Sequence, residues 1–249
     1  MPTFRHGKST KVYFDQYDLS PYLNDVSVQQ SADASETTSF GQSAKTYIAG
    51  LQDAKITAKG MFDGVSTDGS DVILPPTLGS TSDSTVSYFP DGFVDASAGS
   101  ARVAKLARVL STSYEVSSPV ADIVSISAEL QADGLVDDGV LFFADKSVST
   151  ATTTNSGSWD NTTSTANGGV ANLHVTANAA TGNTTFKIQH SADNTTFADL
   201  GTFTVVPTVT KTSERLTIAT GTTVNRYVRA QAITANTGAV TFTIAFARR

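Results

Sequence analysis

The sequence predicts a mainly β protein: an N-terminal β-sandwich or barrel with one flanking helix, followed by a C-terminal β-sandwich. Hydrophobic residues make up 39% of the 249 residues and charged residues only 16%, and small polar residues fill most of the rest. Such a composition suits strands and turns better than helices. Short runs of alternating apolar and polar residues recur along the chain, and turn-forming residues separate them. Only one segment has a helical pattern.

The first elements lie between residues 10 and 30. Val12 and Phe14 indicate a strand, a Ser-Pro turn follows, and residues 26–30 alternate as a second strand. A polar stretch from Ser31 to Gly50 separates this strand from the next alternating run. Loops longer than ~12–15 residues are uncommon in compact domains unless they bind something or stay disordered. We therefore expect a long functional loop here.

The predicted helix covers residues 100–110. Its apolar residues share one broad face, and Arg102, Lys105 and Arg108 recur every three residues on the other. Ser100 is the expected N-cap. Residues 122–133 then alternate as the strand that completes the first domain.

The second half begins after a stretch rich in Ser, Thr, Asn and Gly. We expect a first domain at residues 1–145, a linker or mobile surface segment at 146–169 and a C-terminal β-sandwich domain at 170–249. From residue 170 onward, short alternating runs recur at the spacing typical of a sandwich. The predicted core of this domain consists of Phe186, Ile188, Phe203, Leu216, Ile218, Phe242, Ile244 and Phe246.

Charge is distributed unevenly between the two halves. Residues 1–145 carry 19 acidic and 9 basic side chains, a net charge of −10, whereas residues 146–249 carry 4 and 8, a net charge of +4. Binding to DNA depends largely on neutralising phosphates with Lys and Arg. The acidic half is therefore expected to repel DNA, and the basic residues of the helix to form a solvated or subunit-facing surface.

The sequence contains no cysteine, which excludes disulfides and cysteine-ligated metals. Its first residues lack the apolar stretch of a secretory signal, and no run of ~18 apolar residues occurs. We expect the chain to fold in the cytosol and to have no membrane partner.

Motifs for catalysis, cofactors or metals are not recognised. His6, His174 and His190 show no metal-binding spacing, so the two strand histidines are expected to be hydrogen-bonded within the fold. The carboxylates of residues 63–71 and 137–138 lack a calcium-loop pattern and are expected in solvated turns. No nucleophile elbow, phosphate-binding loop or dinucleotide fingerprint occurs. We therefore expect a protein that is not an enzyme, with no cofactor.

The pattern Gln-x-Ser-Ala-Asp occurs twice, at residues 29–33 and 189–193. Each copy follows an alternating strand, and Ser-Ala-Asp supplies side-chain oxygens that can accept from turn N–H groups. The flanking residues share no pattern. We favour two independent ends of strands over one duplicated module.

Most of residues 10–143 resembles the major tail tube protein of long, non-contractile-tailed (siphophage-type) bacteriophages. The most specific segments are SADASETTSFGQSAKTYIAGL at residues 31–51 and YEVSSPVAD at residues 114–122. The ending NRYVRAQAITANTGAVTFTIAFARR also resembles the C-terminal β domain of phage tail proteins.

The resemblance implies a structural virion protein that forms hexameric rings, stacked into the tube through which DNA is ejected. Assembly in the host cytoplasm and contacts with the tape measure, tail terminator and distal tail proteins are also implied. DNA would pass without specific binding. On this basis the long loop is the expected ring-stacking device, with candidates Ser31, Asp33, Phe40, Tyr47, Ile48 and Leu51.

A lumen that conducts DNA is expected to be acidic or neutral, and Glu129 and Asp133 are the candidates to face it. The C-terminal domain would lie on the tube exterior. An alternative function is a virion surface or fibre module that attaches to host glycans through Trp159, Tyr227 or nearby loops. Trp159 is an external binding candidate on this view, although packing on its own domain is the favoured interpretation of this residue. An enzyme that degrades cell-wall polymer is a third hypothesis.

Overall fold

The computed structural model describes residues 6–93, 104–234 and 237–249. These residues form sixteen strands, one α-helix and two short 3-10 helices, which confirms the mainly β fold class. The helices are α1 (Ser70–Ile73) and the 3-10 helices Gly7–Ser9 and Pro75–Thr77. The strands, in chain order, are β1 (Lys11–Phe14), β2 (Tyr17–Asp18), β3 (Leu23–Glu36), β4 (Tyr47–Met61), β5 (Ser84–Phe89), β6 (Ala104–Ser117), β7 (Ser125–Ala132), β8 (Asp137–Val148), β9 (Thr152–Asn155), β10 (Trp159–Asp160), β11 (Gly169–Asn178), β12 (Thr184–Ser191), β13 (Ala198–Thr202), β14 (Thr212–Ile218), β15 (Tyr227–Thr234) and β16 (Val240–Arg248).

Contacts divide the chain into two compact units. Unit 1 consists of the described residues within Met1–Pro21, Ser84–Leu106 and Asp137–Arg249, and unit 2 consists of Tyr22–Asp83 and Ala107–Val136. This division does not follow the boundary expected at residues 146–169, because β8 on one side of that boundary pairs with β16 on the other. The three expected parts remain a prediction about which segments can fold on their own.

Unit 1 contains a β-sandwich. Its larger sheet includes the strand series β14-β11-β16-β8, and its second sheet has the order β10-β15-β12-β13 with β9 paired to β15. Apolar residues from both sheets meet in one buried cluster, in which the rings of Phe186 and Phe242 lie 4.7 Å apart between centroids. The predicted core is confirmed: seven of the eight residues are buried there, and Leu216 packs against the cluster.

The opposite face of the β11-β16-β8 sheet is also buried. A smaller apolar cluster combines Tyr13 and Phe89 with Leu141 of β8 and Val170 of β11. Alternation along β11 therefore sends Ala171, Leu173 and Val175 into the sandwich and their neighbours to the other side. A sheet that is covered on both faces explains why seven consecutive residues of β11, 169–175, and most residues of β16 are buried.

The expected linker at residues 146–169 contains paired strands. β9 pairs with β15 through four residues, from Thr152 to Asn155, and β10 pairs with the start of β15. The difference has a physical reason, because the β-branched threonines of this segment favour extended backbone when a sheet edge is available. Composition alone did not reveal that edge.

Unit 2 is built on an antiparallel sheet with the order β3-β4-β7-β6. One face of the sheet is apolar and buried, with residues such as Ile56, Ile126 and Leu130. The short helix α1 belongs to the same unit, and the Tyr114 hydroxyl of β6 donates to the Asp71 carboxylate of α1 at 2.7 Å. Burial and this bond raise the pKa of Tyr114.

The predicted helix at residues 100–110 is wrong for its described part, because Ala104–Ser117 is strand β6. Ser100 and Arg102 lie outside the described residues. The first residues of β6 pair with β8 and the later ones pair with β7. Short apolar runs are ambiguous between helix and strand, and pairing with neighbouring strands decides the outcome here.

The two copies of Gln-x-Ser-Ala-Asp have different structures. The first copy does not end its strand, since β3 continues through it to Glu36. In the second copy the strand ends at Ser191, and the Asp193 carboxylate accepts from the backbone N–H groups of Thr195 and Thr196, both at 2.9 Å. These hydrogen bonds from the backbone lower the pKa of Asp193. The difference agrees with independent origins for the two segments.

Candidate functional site

The segment expected to be an irregular loop is a β-hairpin that we call the arm, residues 31–53. The strands β3 and β4 remain paired from Leu23–Gly60 outward to Glu36–Tyr47. Every residue of the arm is exposed, on both faces of the hairpin. A two-stranded ribbon without a covered face is marginally stable in water. The arm is therefore suited to contact another surface rather than to support its own unit.

Short-range bonds close the end of the arm. The Thr37 N–H donates to the Thr46 carbonyl at 2.8 Å, and the Lys45 ammonium lies 3.0 Å from the Glu36 carboxylate. This ion pair lowers the pKa of Glu36. Phe40 lies within the turn and is fully exposed.

A bulge interrupts the arm between the pairs Ala32–Gln52 and Ala34–Ala49. Asp33 lies opposite Gly50, where an added Cβ would stand only 3.0 Å from the Asp33 Cβ. Bulges bend and twist a ribbon. Glycine therefore permits the close approach of the two strands at the point where the arm changes direction.

The six ring-stacking candidates are all in the arm. Ser31 and Asp33 lie in β3, Tyr47, Ile48 and Leu51 lie in β4, and Phe40 lies at the turn. The apolar candidates are unusually exposed, with Leu51 at 82% and Ile48 at 61% of full exposure. Exposed clusters of large apolar residues commonly mark interaction sites. Their role in stacking remains a prediction.

The face of the unit 2 sheet that is not apolar carries a ladder of polar side chains. Cross-strand pairing places Asp25, Lys59, Ser127 and Glu115 side by side, since directly paired residues point to the same face. The neighbouring rows are Ser27, Thr57, Glu129 and Ser113, and Gln29, Lys55, Gln131 and Leu110. The alternation within each strand is visible in the sequence. The alignment of the polar residues of all four strands on one face depends on the register between the strands, which the sequence does not show.

The two acidic candidates both form ion pairs. Glu129 lies on the polar face, with its carboxylate 2.7 Å from the Lys55 ammonium. Asp133 follows the end of β7 and pairs with the Arg108 guanidinium, which also lies 3.0 Å from Asp83. Both candidate carboxylates of unit 2 are therefore paired with a basic side chain. The assignment of either residue to a lumen remains a prediction.

His174 is fully buried in unit 1 and both of its ring nitrogens are bonded. Its Nδ1 lies 2.6 Å from the Asp15 carbonyl and its Nε2 lies 2.7 Å from the Ser87 hydroxyl. Since a carbonyl only accepts, Nδ1 carries the proton and the Ser87 hydroxyl donates to Nε2. Burial lowers the pKa of His174 to about 4. The expectation of a hydrogen-bonded strand histidine is confirmed at this position.

The hydrogen-bonded chain continues from Ser87 to a buried carboxylate. Asn172 bonds Ser87 at 3.1 Å and accepts from Arg215 at 2.9 Å, and Arg215 pairs with Asp137 at 2.6 Å. The Arg249 Nε lies 2.7 Å from the other oxygen of Asp137, whose side chain is only 6% exposed. Sequence reasoning missed this network because its members are far apart along the chain. Asp137 is not in a solvated turn as expected, since two guanidinium groups hold it inside unit 1.

Trp159 packs against the apolar core of the unit 1 sandwich and is half-buried. Next to it, Asp160 forms a two-point ion pair with Arg226, with both distances at 2.7 Å. Hydrogen bonds from Arg226 lower the pKa of Asp160 to about 2. The indole is therefore part of its own fold. Arg226 also lies over the ring of Tyr227, 4.9 Å from the centroid.

Among the described residues, His, Asp and Glu side chains form no group of three that could hold a metal ion. Within the same ranges no helix has the length and apolar character needed to cross a membrane.

Comparisons with known proteins give structural neighbours only. No protein-family model matches the sequence, and no curated protein matches it. A chain from the virion of a native gene transfer agent particle is 14% identical, covers 53% of this chain and 97% of its own, and has a TM-score of 0.41. The SPP1 tail tube protein is 12% identical over 54% of this chain and 79% of its own, with a TM-score of 0.43.

A third neighbour, the Dit protein of SPP1, is described as a hub of the adsorption apparatus in phages that infect Gram-positive bacteria. It is 12% identical, covers 94% of this chain and 98% of its own, and has a TM-score of 0.36. The neighbours are thus tail tube and hub proteins of virions.

Proposed function

We propose that this chain is a structural protein of a phage tail that assembles into rings, and that the rings stack into a tube for DNA. The arm carries this proposal, because its 23 consecutive residues are all exposed, bury no side chain in unit 2 and include four large apolar side chains. A surface of this kind gains free energy when another molecule covers it. The role is structural rather than catalytic, and the siphophage type and the six copies per ring are parts of the proposal.

Ring formation would satisfy the free edge of the unit 2 sheet. Within the described residues, β3 pairs with β4 alone, so the other edge of this fourteen-residue strand is open. Open edges invite pairing with another chain. If each copy adds its β3 edge to the sheet of the next copy, a closed ring leaves no edge exposed.

The polar face of unit 2 would then line the tube. It carries three carboxylates, Asp25, Glu115 and Glu129, beside two lysines, Lys55 and Lys59. Affinity for DNA rises with the number of cations that can pair with phosphates. On this face the Lys55 ammonium is already paired with Glu129. DNA would slide past such a wall without specific binding.

The proposal retains the remaining expectations. Residues 170–249, with their net positive charge, would lie on the tube exterior, and the tape measure, tail terminator and distal tail proteins would be partners. Assembly would occur in the host cytoplasm, and the mature location would be the virion tail.

Negative-stain electron microscopy of the purified chain tests the proposal, and we expect rings and hollow tubes. A matched variant replaces residues 33–51 with Asn-Gly, a pair that closes hairpins well, so that Ala32 and Gln52 remain paired. Because the arm contains no buried side chain, this variant should fold and form rings, but the rings should not stack. Discrete small oligomers from the unmodified chain would contradict the tube. Stacking that persists without the arm would contradict the role of the arm.

A further inference from the structure

A second exposed apolar surface lies at the other end of the strand that forms the arm. We call it the end patch; it consists of Met61, Phe62, Val65, Val116, Val120 and Ile123. Val65 is 95% exposed and Val120 is fully exposed. These two valines bury no surface within unit 2, and clusters of exposed apolar side chains commonly mark interaction sites.

Pairing brings the members of the end patch together. Met61 at the end of β4 pairs with Ser125, and Ser125 pairs with Ser117 at the end of β6. The Phe62 N–H donates to the Val124 carbonyl at 3.0 Å. The turn of Val120 and Ile123 connects β6 to β7 at this same end of the sheet. Five members of the patch therefore lie at one end of the unit 2 sheet, and Val65 follows three residues after Phe62.

The arm and the end patch lie at opposite ends of β4. From Tyr47 to Met61 the strand advances fourteen steps of about 3.3 Å, or roughly 46 Å. The arm of one copy cannot reach its own end patch over this distance. Two different surfaces at opposite ends of one unit can meet only between copies, and their repetition gives an open stack.

We propose that the end patch is the surface on which the arm of a second copy of this chain docks. The size of the arm supports this occupant, because its 23 exposed residues fall within the roughly 20–30 residues per side of a standard interface. Both surfaces expose large aliphatic and aromatic side chains, four in the arm and six in the end patch. The inference rests on the proposed function, and it identifies the receptor surface that stacked rings would require.

Cysteine cross-linking tests the contact directly, since the chain has no cysteine of its own. The double variant F40C/V120C places one thiol in the arm and one in the end patch. A disulfide needs Cα atoms within about 7 Å, so the two thiols of one copy cannot join. We expect oxidation of the assembled variant to give a ladder of covalent dimers, trimers and higher multimers on non-reducing gels.

The matched control is F40C/L78C. Leu78 is also exposed, at 47%, but it bridges to Ser111, six residues or about 20 Å along β6 from Ser117. This control should give no ladder, and the single variants F40C and V120C should stay monomeric on the gel. An equal ladder from the control, or dimers from V120C alone, would show that the end patch has a different partner and would overturn the inference.

A second variant, V120D/I123D, separates this inference from the proposed function. We expect it to form single rings without stacks, because charged side chains cannot be buried under the arm at low cost. Tubes from this variant with normal length would overturn the docking surface while leaving the tube proposal intact. If the unmodified chain forms neither rings nor tubes, the proposed function itself fails, and the inference fails with it.

Discussion

His174 is a buried imidazole that the fold keeps neutral. Its pKa is lowered to about 4 by burial, below the value near 6.5 expected in the unfolded chain. The unfolded state therefore binds a proton first as the pH falls, and stability declines from about pH 6.5 down to about pH 4. Above pH 6.5 both states are neutral, and this residue causes no pH dependence.

We expect the free energy of unfolding to fall by about 2 kcal/mol between pH 7.5 and pH 5 because of His174. The variant His174→Gln keeps a donor and an acceptor without a titrating ring, so it should be less stable at pH 7.5 but should lose much of this pH dependence. Urea unfolding at the two pH values measures the difference. His190→Gln is the control: burial also lowers the pKa of His190, but this side chain is only partly buried, so its removal should change the pH dependence less than His174→Gln does. If His174→Gln kept the pH dependence of the wild type, His174 would not be the cause of the loss of stability at low pH.

Sequence reasoning could predict the type of environment of His174 but not its partners. Alternation in residues 170–178 places the histidine on a strand. Its bonded groups, however, lie 159 and 87 residues away along the chain. The same applies to Asp137, whose guanidinium partners are 78 and 112 residues distant. Non-local polar contacts of this kind leave no periodic signal in one sequence.

At the scale of elements, alternation was a reliable guide where large apolar residues recur at every second position of a strand. Residues of β12 and β16 alternate clearly, and their apolar side chains enter the predicted core. β6 lacks this regularity, because Leu106 and Ala107 are adjacent and both buried. Basic residues at every third position then imitated an amphipathic helix. The strand became evident only from its pairing with β7 and β8.

The arm was recognised in the sequence by its length and its apolar residues, but not as a hairpin. We expect its amide hydrogens to exchange with solvent almost as fast as those of an unfolded peptide, since an uncovered two-stranded ribbon opens easily. Amides of β11, which pairs with β14 and β16, should exchange at least about 1,000-fold more slowly, because they open only with much of the unit. Hydrogen exchange with mass spectrometry measures both.

Assembly should slow hydrogen exchange in the two surfaces that are proposed to meet, the arm and the end patch. Exchange in residues 31–53 should slow when the chain forms stacked rings, and the turn of the end patch should slow with it. The largely exposed strand β13 of unit 1 is the internal reference, because its exchange rate should not change on stacking. An arm that is already protected in the isolated chain, or that gains no protection on stacking, would contradict the docking of this element.

At the scale of the whole molecule, unit 1 is assembled from segments that are distant in sequence. The strand β8 before the expected boundary contributes Val140, Phe142 and Phe143 to the same core as the strands after it. The network of His174 and Asn172 adds bonds from β11 to Asp15 and Ser87. A chain that ends at residue 145 would lose these partners while keeping the residues that need them.

We therefore expect the fragment 1–145 to lose the native packing of its unit 1 residues. Exposure of three large core side chains costs about 1.5–3 kcal/mol each, a sum comparable with the ~5–15 kcal/mol total stability of many domains. Soluble yield and the near-ultraviolet circular dichroism of Tyr13 and its neighbours measure this loss. As a control, six Gly and Ser residues inserted after the exposed Gly157 should be tolerated, because lengthening a surface loop costs under about 1 kcal/mol. A soluble, cooperatively folded fragment 1–145 would instead support the domain boundary expected from composition, and the pairing of β8 with β16 would then be dispensable.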